Sequence, residues 1–187
     1  TDRDEAGNYR ETSAWVSADQ VSAGPLAYSP RTMYRQAFCL LNAPYGWGGT
    51  FGEQDCSQFL CEIFSTVGIT LPRNSGKQMR VGAILDGFSA DTADADKSEL
   101  LAASALSGAT ILRLPGHIML YLGMVGGKPY VIHSTWAYRE MRGRKEIVRL
   151  INRVAVSNLE LGAGSKKGTH LHRLTTASVI TLPPPGE

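Results

Sequence analysis

Two regimes of apolar spacing divide this chain. Ahead of about residue 70 the apolar residues recur at helical intervals, whereas from Ala109 onward they gather in short Ile-, Leu-, Val- and Tyr-rich blocks broken by Pro115-Gly116 and Gly126-Gly127. In the first regime Met33, Ala37, Phe38 and Leu41 predict a helix that opens at Ser29-Pro30, where proline is tolerated, and runs to about Leu41. Phe59, Leu60, Ile63, Phe64 and Val67 predict a second helix that starts near Cys56 and stops at Gly68. In the second regime residues 109–114, 117–124 and 129–135 read as strands, with 146–156 and 174–182 as further candidates. Helices first and strands afterwards describe an α+β domain on a largely antiparallel sheet. Residues 76–85 read as a short helix. The acidic, alanine-rich stretch 91–99 reads as a solvated face or a capped helix start, since it lacks the glycine and final carboxylate of a calcium loop. Residues 1–29 form a polar lead-in, in which Trp15-Val16 and Val21 suggest a short strand pair.

Composition narrows the partners. With 187 residues, 43% hydrophobic and 19% charged, the chain can bury one core and is not a disordered segment. Its net charge of +2 makes no argument for nucleic acid, and no apolar run reaches membrane-spanning length, so stable membrane insertion is not expected. Cys39, Cys56 and Cys61 form neither a disulfide framework nor a metal-ligand pattern. Cys39 and Cys61, set among apolar residues, read as core thiols.

Cys56 differs from the other two. It follows a glycine-rich, aromatic loop (Pro44-Tyr45-Gly46-Trp47-Gly48-Gly49) and lies in the first turn of the second helix, where unpaired N–H groups and the helix dipole favour a thiolate. It reads either as a nucleophile or as one more small buried thiol. A nucleophile needs a base, and the base a third group to orient it. His117 opens one strand and His133 ends the next. A strict two-residue turn at Gly126-Gly127 would pair residue 120 with 133 and put the two rings on opposite faces. An odd-length loop would pair 119 with 133 and put them on one face as diagonal neighbours. Cooperation between the histidines therefore calls for an odd loop. His170-Leu171-His172 reads as a strand with both rings on one face, a possible metal pair lacking a third ligand nearby in sequence. The basic run Arg139, Arg142, Arg144, Lys145 and Arg149 reads as a solvated face, with contact to an anionic polymer as the lesser reading.

With these residues in view, the chain resembles the NlpC superfamily of bacterial papain-like cell-wall cysteine peptidases. The resemblance rests on residues 44–49, Asp55-Cys56-Ser57-Gln58-Phe59, Leu71-Pro72-Arg73-Asn74-Ser75 with Gln78, residues 116–123 and Val131-Ile132-His133, in the family's order over roughly residues 30–135. It implies a papain-like cysteine peptidase fold with N-terminal helices on the sheet. It further implies a catalytic domain over 30–187 with an inserted segment near 81–108, forming an extra lobe or lid. Residues 1–29 resemble the end of a bacterial SH3-like module. The implied activity is hydrolysis of peptidoglycan stem peptides, at the bond between γ-D-glutamate and the diamino acid, by a monomer that needs no cofactor or metal. The setting is the bacterial cell envelope, periplasmic or secreted, with any targeting segment outside these residues. By resemblance Cys56 is the nucleophile, His117 the base and His133 the orienting group, while Tyr45, Trp47, Asp55, Ser57, Arg73 and Ser75 meet the substrate. A papain-like amidase or acyltransferase acting elsewhere, or a wall-binding module with a spent site, are the rival readings.

Overall fold

The computed structural model describes residues 2–11, 13–18 and 21–181. Two short strands, β1 (Asp2–Arg3) and β2 (Tyr9–Arg10), pair near the start. The pair expected at Trp15-Val16 and Val21 does not form: those side chains are exposed and make no strand, since nothing apolar lies against them. Helix α1 (Pro30–Cys39) is capped by Ser29, whose side chain accepts from the Thr32 N–H. Helix α2 (Cys56–Ser65) is capped by Asp55, whose side chain accepts from the N–H groups of Ser57 and Gln58. The apolar stripe of α2 (Phe59, Leu60, Ile63, Phe64) is fully buried, each side chain contributing about 2–3 kcal/mol of transfer energy. Helix α3 is confined to Ser75–Gln78, shorter than the expected 76–85, because the chain turns at Arg80 into β3 (Ala83–Ile84), which needs an extended backbone to pair.

Helix α4 (Asp94–Ser104) leads into β4 (Thr110–Leu114), β5 (His117–Val125), β6 (Lys128–Arg142) and β7 (Lys145–Asn158). A four-residue helix α5 (His170–Arg173) and β8 (Thr176–Val179) follow. Residues 170–172 are therefore helical, not the strand expected, and Leu182 lies outside the described residues. The sheet runs β3-β8-β4-β5-β6-β7 with every pairing antiparallel. Its two faces carry separate cores. Ile111, Ile118, Leu120 and Ile132 meet α1 and α2, while Leu112, Met119, Tyr121 and Val131 meet Leu101 of α4 and Leu159 and Leu174. Residues 81–108 thus build the second face: β3 extends the sheet edge and α4 covers its far side. Buried Lys97 fastens α4 to α5, donating to the His172 carbonyl at 2.9 Å.

The register of β5 and β6 departs from the sequence expectation in an instructive way. The turn contains only Gly126 and Gly127 (φ 56° and 74°), so Val125 pairs with Lys128, and the loop is even. A bulge between Tyr121 and Gly123 then adds the odd residue, so that Leu120 pairs with Ile132. The Leu122 carbonyl released by the bulge accepts from the Tyr34 hydroxyl of α1. The histidines reach one face through a bulge stabilised by a distant helix, not through the loop. Cys39, expected in the core, is exposed; Cys61 is half-buried, with its thiol near the Leu71 carbonyl at 3.5 Å.

Candidate active site

Helix α2 presents Cys56 at its first position, from the α1/α2 face of the sheet. His117 follows the tight turn of Pro115 and Gly116 (φ 81°), and alternation from Met119, Tyr121 and Val131 puts His117 and His133 on the opposite face. The sheet itself resolves this mismatch. The β5–β6 ladder ends at Leu120–Ile132, although both strands continue, and the Ile118 N–H left free in that opening faces the Cys56 thiol. The opening brings the thiol of one layer toward the histidines of the other. The loop before α2 is fastened across the same edge: Tyr45 N–H donates to the Asn152 carbonyl at 3.2 Å and Ser134 Oγ to the Gln54 carbonyl at 2.8 Å.

His117 Nε2 and His133 Nδ1 are 2.7 Å apart, and Ser157 Oγ lies 3.2 Å from His133 Nε2. His133 is completely buried and His117 half-buried. Burial first, then the neighbouring His170 and Arg173, hold the His117 imidazole well below its ordinary value. Burial, then His117 and His170, does the same to His133. Both rings are therefore neutral near pH 7. The two contacts can run in either direction; His117 Nδ1 keeps a free lone pair in the one where His117 donates from Nε2 to His133 Nδ1 and His133 donates from Nε2 to Ser157. Burial pushes the Cys56 thiol up, against the N–H of Ile118, which favours the thiolate; Asp55 adds to the rise, and the N–H groups of Ser57 and Cys56 oppose it. Among the described residues Cys56 makes no side-chain hydrogen bond to His117, a contact that often tightens only when substrate is bound.

On the other side of Cys56, Asp55 is saturated. Arg73 grips both its oxygens (Nη2 to Oδ2 2.6 Å, Nη1 to Oδ1 3.0 Å), Ser57 Oγ donates to Oδ1 at 3.0 Å, and Arg73 Nη1 donates to Ser57 Oγ at 2.6 Å. Burial raises this carboxyl, but Arg73 and the N–H of Gln58 outweigh it and hold it below its ordinary value. Fully buried Gln78 donates to the Ser57 carbonyl at 2.8 Å, securing the network from behind. Ser75 opens α3 and makes no side-chain hydrogen bond to this cluster among the described residues. Tyr45 is half-buried; burial, with the Cys56 and Asp55 charges, pushes its hydroxyl up to about 12, so it stays a proton donor. Tyr45 and Trp47 meet edge to face, their centroids 6.3 Å apart.

Tyr45, Trp47, His117, Trp136, His170 and Arg173 line a cavity of about 190 Å³. A larger one of about 570 Å³, between the lead-in around Pro25 and α1, contains no histidine or cysteine. Sequence reading missed Ser157, for which no local signal exists. It also misjudged His170, whose ring packs 6.1 Å from His117 and 6.0 Å from His133, while His172 turns away toward Asp94 at 3.4 Å. The basic run lies on the β6–β7 ribbon, where Arg139 pairs with Glu146 and Arg149 with Glu140.

Residues 42–149 match the NlpC/P60 family. A stretch of 47 residues is 49% identical to a gamma-D-glutamyl-L-lysine dipeptidyl-peptidase of Bacillus cereus, covering 25% of this chain and 14% of that protein. The structure resembles an NlpC/P60 endopeptidase from Photobacterium damselae subsp. piscicida (TM-score 0.73, 22% identity, 95% of this chain and 44% of that one). It also resembles a peptidoglycan hydrolase from Mycobacterium tuberculosis (TM-score 0.52, 20% identity, 82% and 65%). The chain spans less than half of the Photobacterium protein's structure, and at these identities the likeness is one of fold.

Proposed function

This chain belongs to the NlpC/P60 family of cysteine peptidases and peptidoglycan hydrolases, and from that premise we propose that it is an endopeptidase of peptidoglycan stem peptides, cleaving between γ-D-glutamate and the diamino acid. The observation that carries the reading is the opening between β5 and β6, where the Cys56 thiol meets the Ile118 N–H beside the His117–His133–Ser157 relay. On this reading Cys56 is the nucleophile, His117 the base and His133 the orienting group, while Tyr45, Trp47, Asp55, Ser57, Arg73 and Ser75 shape the substrate groove. The site works in the cell envelope on a wall peptide.

The chemistry follows from the neutral resting groups. As Cys56 sulfur attacks the scissile carbonyl, His117 Nδ1 takes the thiol proton, and His133 spreads the new charge through its own hydrogen bonds. Among the first-turn donors of α2, those of Ser57 and Gln58 are taken by Asp55 and that of Phe59 by the Asp55 carbonyl. The Cys56 N–H, without a backbone or capping oxygen among the described residues, is the donor for the oxyanion. Collapse of the intermediate breaks the C–N bond, and His117 returns the proton to the departing amine. Water, deprotonated by His117, then releases the acyl group as a carboxylate and restores the thiol. Cys56→Ala should abolish release of stem-peptide fragments from purified sacculi; undiminished release would sink the proposal.

A further inference from the structure

Arg173 has no ion pair and no side-chain hydrogen bond among the described residues, yet the residue is only partly exposed, and burial lowers its pKa. A desolvated cation without a partner is unfavourable, and structures usually supply an acid for it. Here the lining contains none. The cavity beside His117 and a second one of about 200 Å³ share Trp136, Ala137, His170 and Arg173, so Arg173 stands where they join, and the second cavity adds Lys167 and Arg139, the latter paired with Glu146. Neither is lined by Asp or Glu. Beside Arg173, His170 is 95% buried, and its Nδ1 is sealed from solvent without a partner. An orphaned lone pair is more readily tolerated than an orphaned N–H, so the proton belongs on Nε2, as a donor. Trp136, half exposed where a bulge lies between Thr135 and Ala137, lines the same cavity as Trp47.

We propose that Arg173, with His170 beside it, forms a carboxylate-binding subsite in the cavity beside His117, holding a free carboxylate of the peptide next to the scissile bond. The subsite rests on the peptidase reading for its ligand but not for its existence. A planar guanidinium fork matches two carboxylate oxygens, and the neutral imidazole adds a third donor. Both cationic-subsite residues lie beyond the family match at residues 42–149, so the subsite belongs to the C-terminal segment that α4 braces through Lys97.

Two measurements test it. Iodoacetate and iodoacetamide both alkylate a thiolate by displacing iodide, but only the first is an anion. Mass-mapped labelling at Cys56, kept apart from exposed Cys39, gives their rate ratio. Arg173→Gln should lower that ratio about fivefold with the iodoacetamide rate within about twofold, and Arg173→Lys should keep most of it. With tripeptide muropeptides whose diamino-acid carboxylate is free or amidated, Arg173→Gln should raise KM for the free form about tenfold, leaving kcat and the amidated form little changed. An unchanged labelling ratio, or equal losses on both substrates, overturns the subsite. If the ratio responds while no muropeptide is cleaved by the native chain, the peptidase reading fails and the subsite stands. If cleavage proceeds and the ratio does not respond, the subsite falls alone.

Discussion

Two arginines lie near the candidate site, Arg73 beside Asp55 and Arg173 at the cavity beside His117, and they are handled in opposite ways. Arg73 is locked to Asp55 and Ser57 within 3.0 Å, whereas Arg173 faces a cavity without an acid. The first pair lies in the part of the chain matched by the family, the second cation outside it. A neutralised arginine next to a helix cap holds geometry; an unpaired one leaves a charge available to a ligand. The cluster around Asp55 is thus complete among the described residues, whereas the cavity at Arg173 is lined by a cation without an acid.

The comparison can be broken from either side. The largest effect belongs to the relay: His117→Ala should lower kcat on stem peptides about a thousandfold, read by steady-state kinetics on muropeptides, while thermal stability holds. Asp55→Ala should destabilise by about 1–2 kcal/mol in chemical denaturation, mostly through the lost helix cap, since Arg73 is exposed enough for water to screen its charge. A loss as small as that of an exposed alanine substitution would mean that the Asp55 wall is not built as described.

Acid should expose the histidine side. His117, His133 and His170 all have folded values below the ordinary 6.5, about 3 for His117 and about 4 for His170, with burial the first cause in each. Below pH 6.5 the unfolded chain binds more protons than the folded one, so this stability is present above that pH and is lost as pH falls toward the folded values. Melting temperature should therefore drop between pH 7 and 5, and His170→Asn should flatten the slope; identical slopes would remove His170 from the account. Labelling of Cys56 by iodoacetamide should rise with pH above the ordinary thiol value, because burial raises that thiol. An acid-side plateau would show a resting ion pair instead.

The smallest effect is the sharpest contrast. Arg173→Met should leave stability unchanged or raise it by less than about 1 kcal/mol, since it removes an unpaired, half-buried cation. Arg73→Met should lower stability, because Asp55 would be left facing only neutral donors. Equal losses in the two variants would erase the distinction between the walls.

Much of this was legible in the residues. Asp55-Cys56-Ser57 ahead of a 3.6-residue apolar stripe located α2 and put Cys56 at its start, since propensity, capping and the hydrophobic stripe act within a turn or two. The strand blocks and their glycine turns located β4, β5 and β6 for the same reason. The reading went astray where a local pattern met a distant partner. The Gly-Gly turn is even, and the bulge that corrects the register draws on Tyr34, 88 residues away, which accounts for why counting loop residues misled. His170 and His172 alternate like strand residues, yet Lys97 from α4 binds the His172 carbonyl and the segment is helical.

By itself, then, the sequence determined most of the secondary elements and the α+β class, and it singled out Cys56 at the start of a helix, because each depends on chain-local terms. Only the tertiary structure decided that β5 and β6 part beyond Leu120, that Ser157 ends the relay, and that one arginine is paired and the other not. Those outcomes hang on register, strand separation and burial, which arise only when segments far apart in the chain share one low-dielectric site.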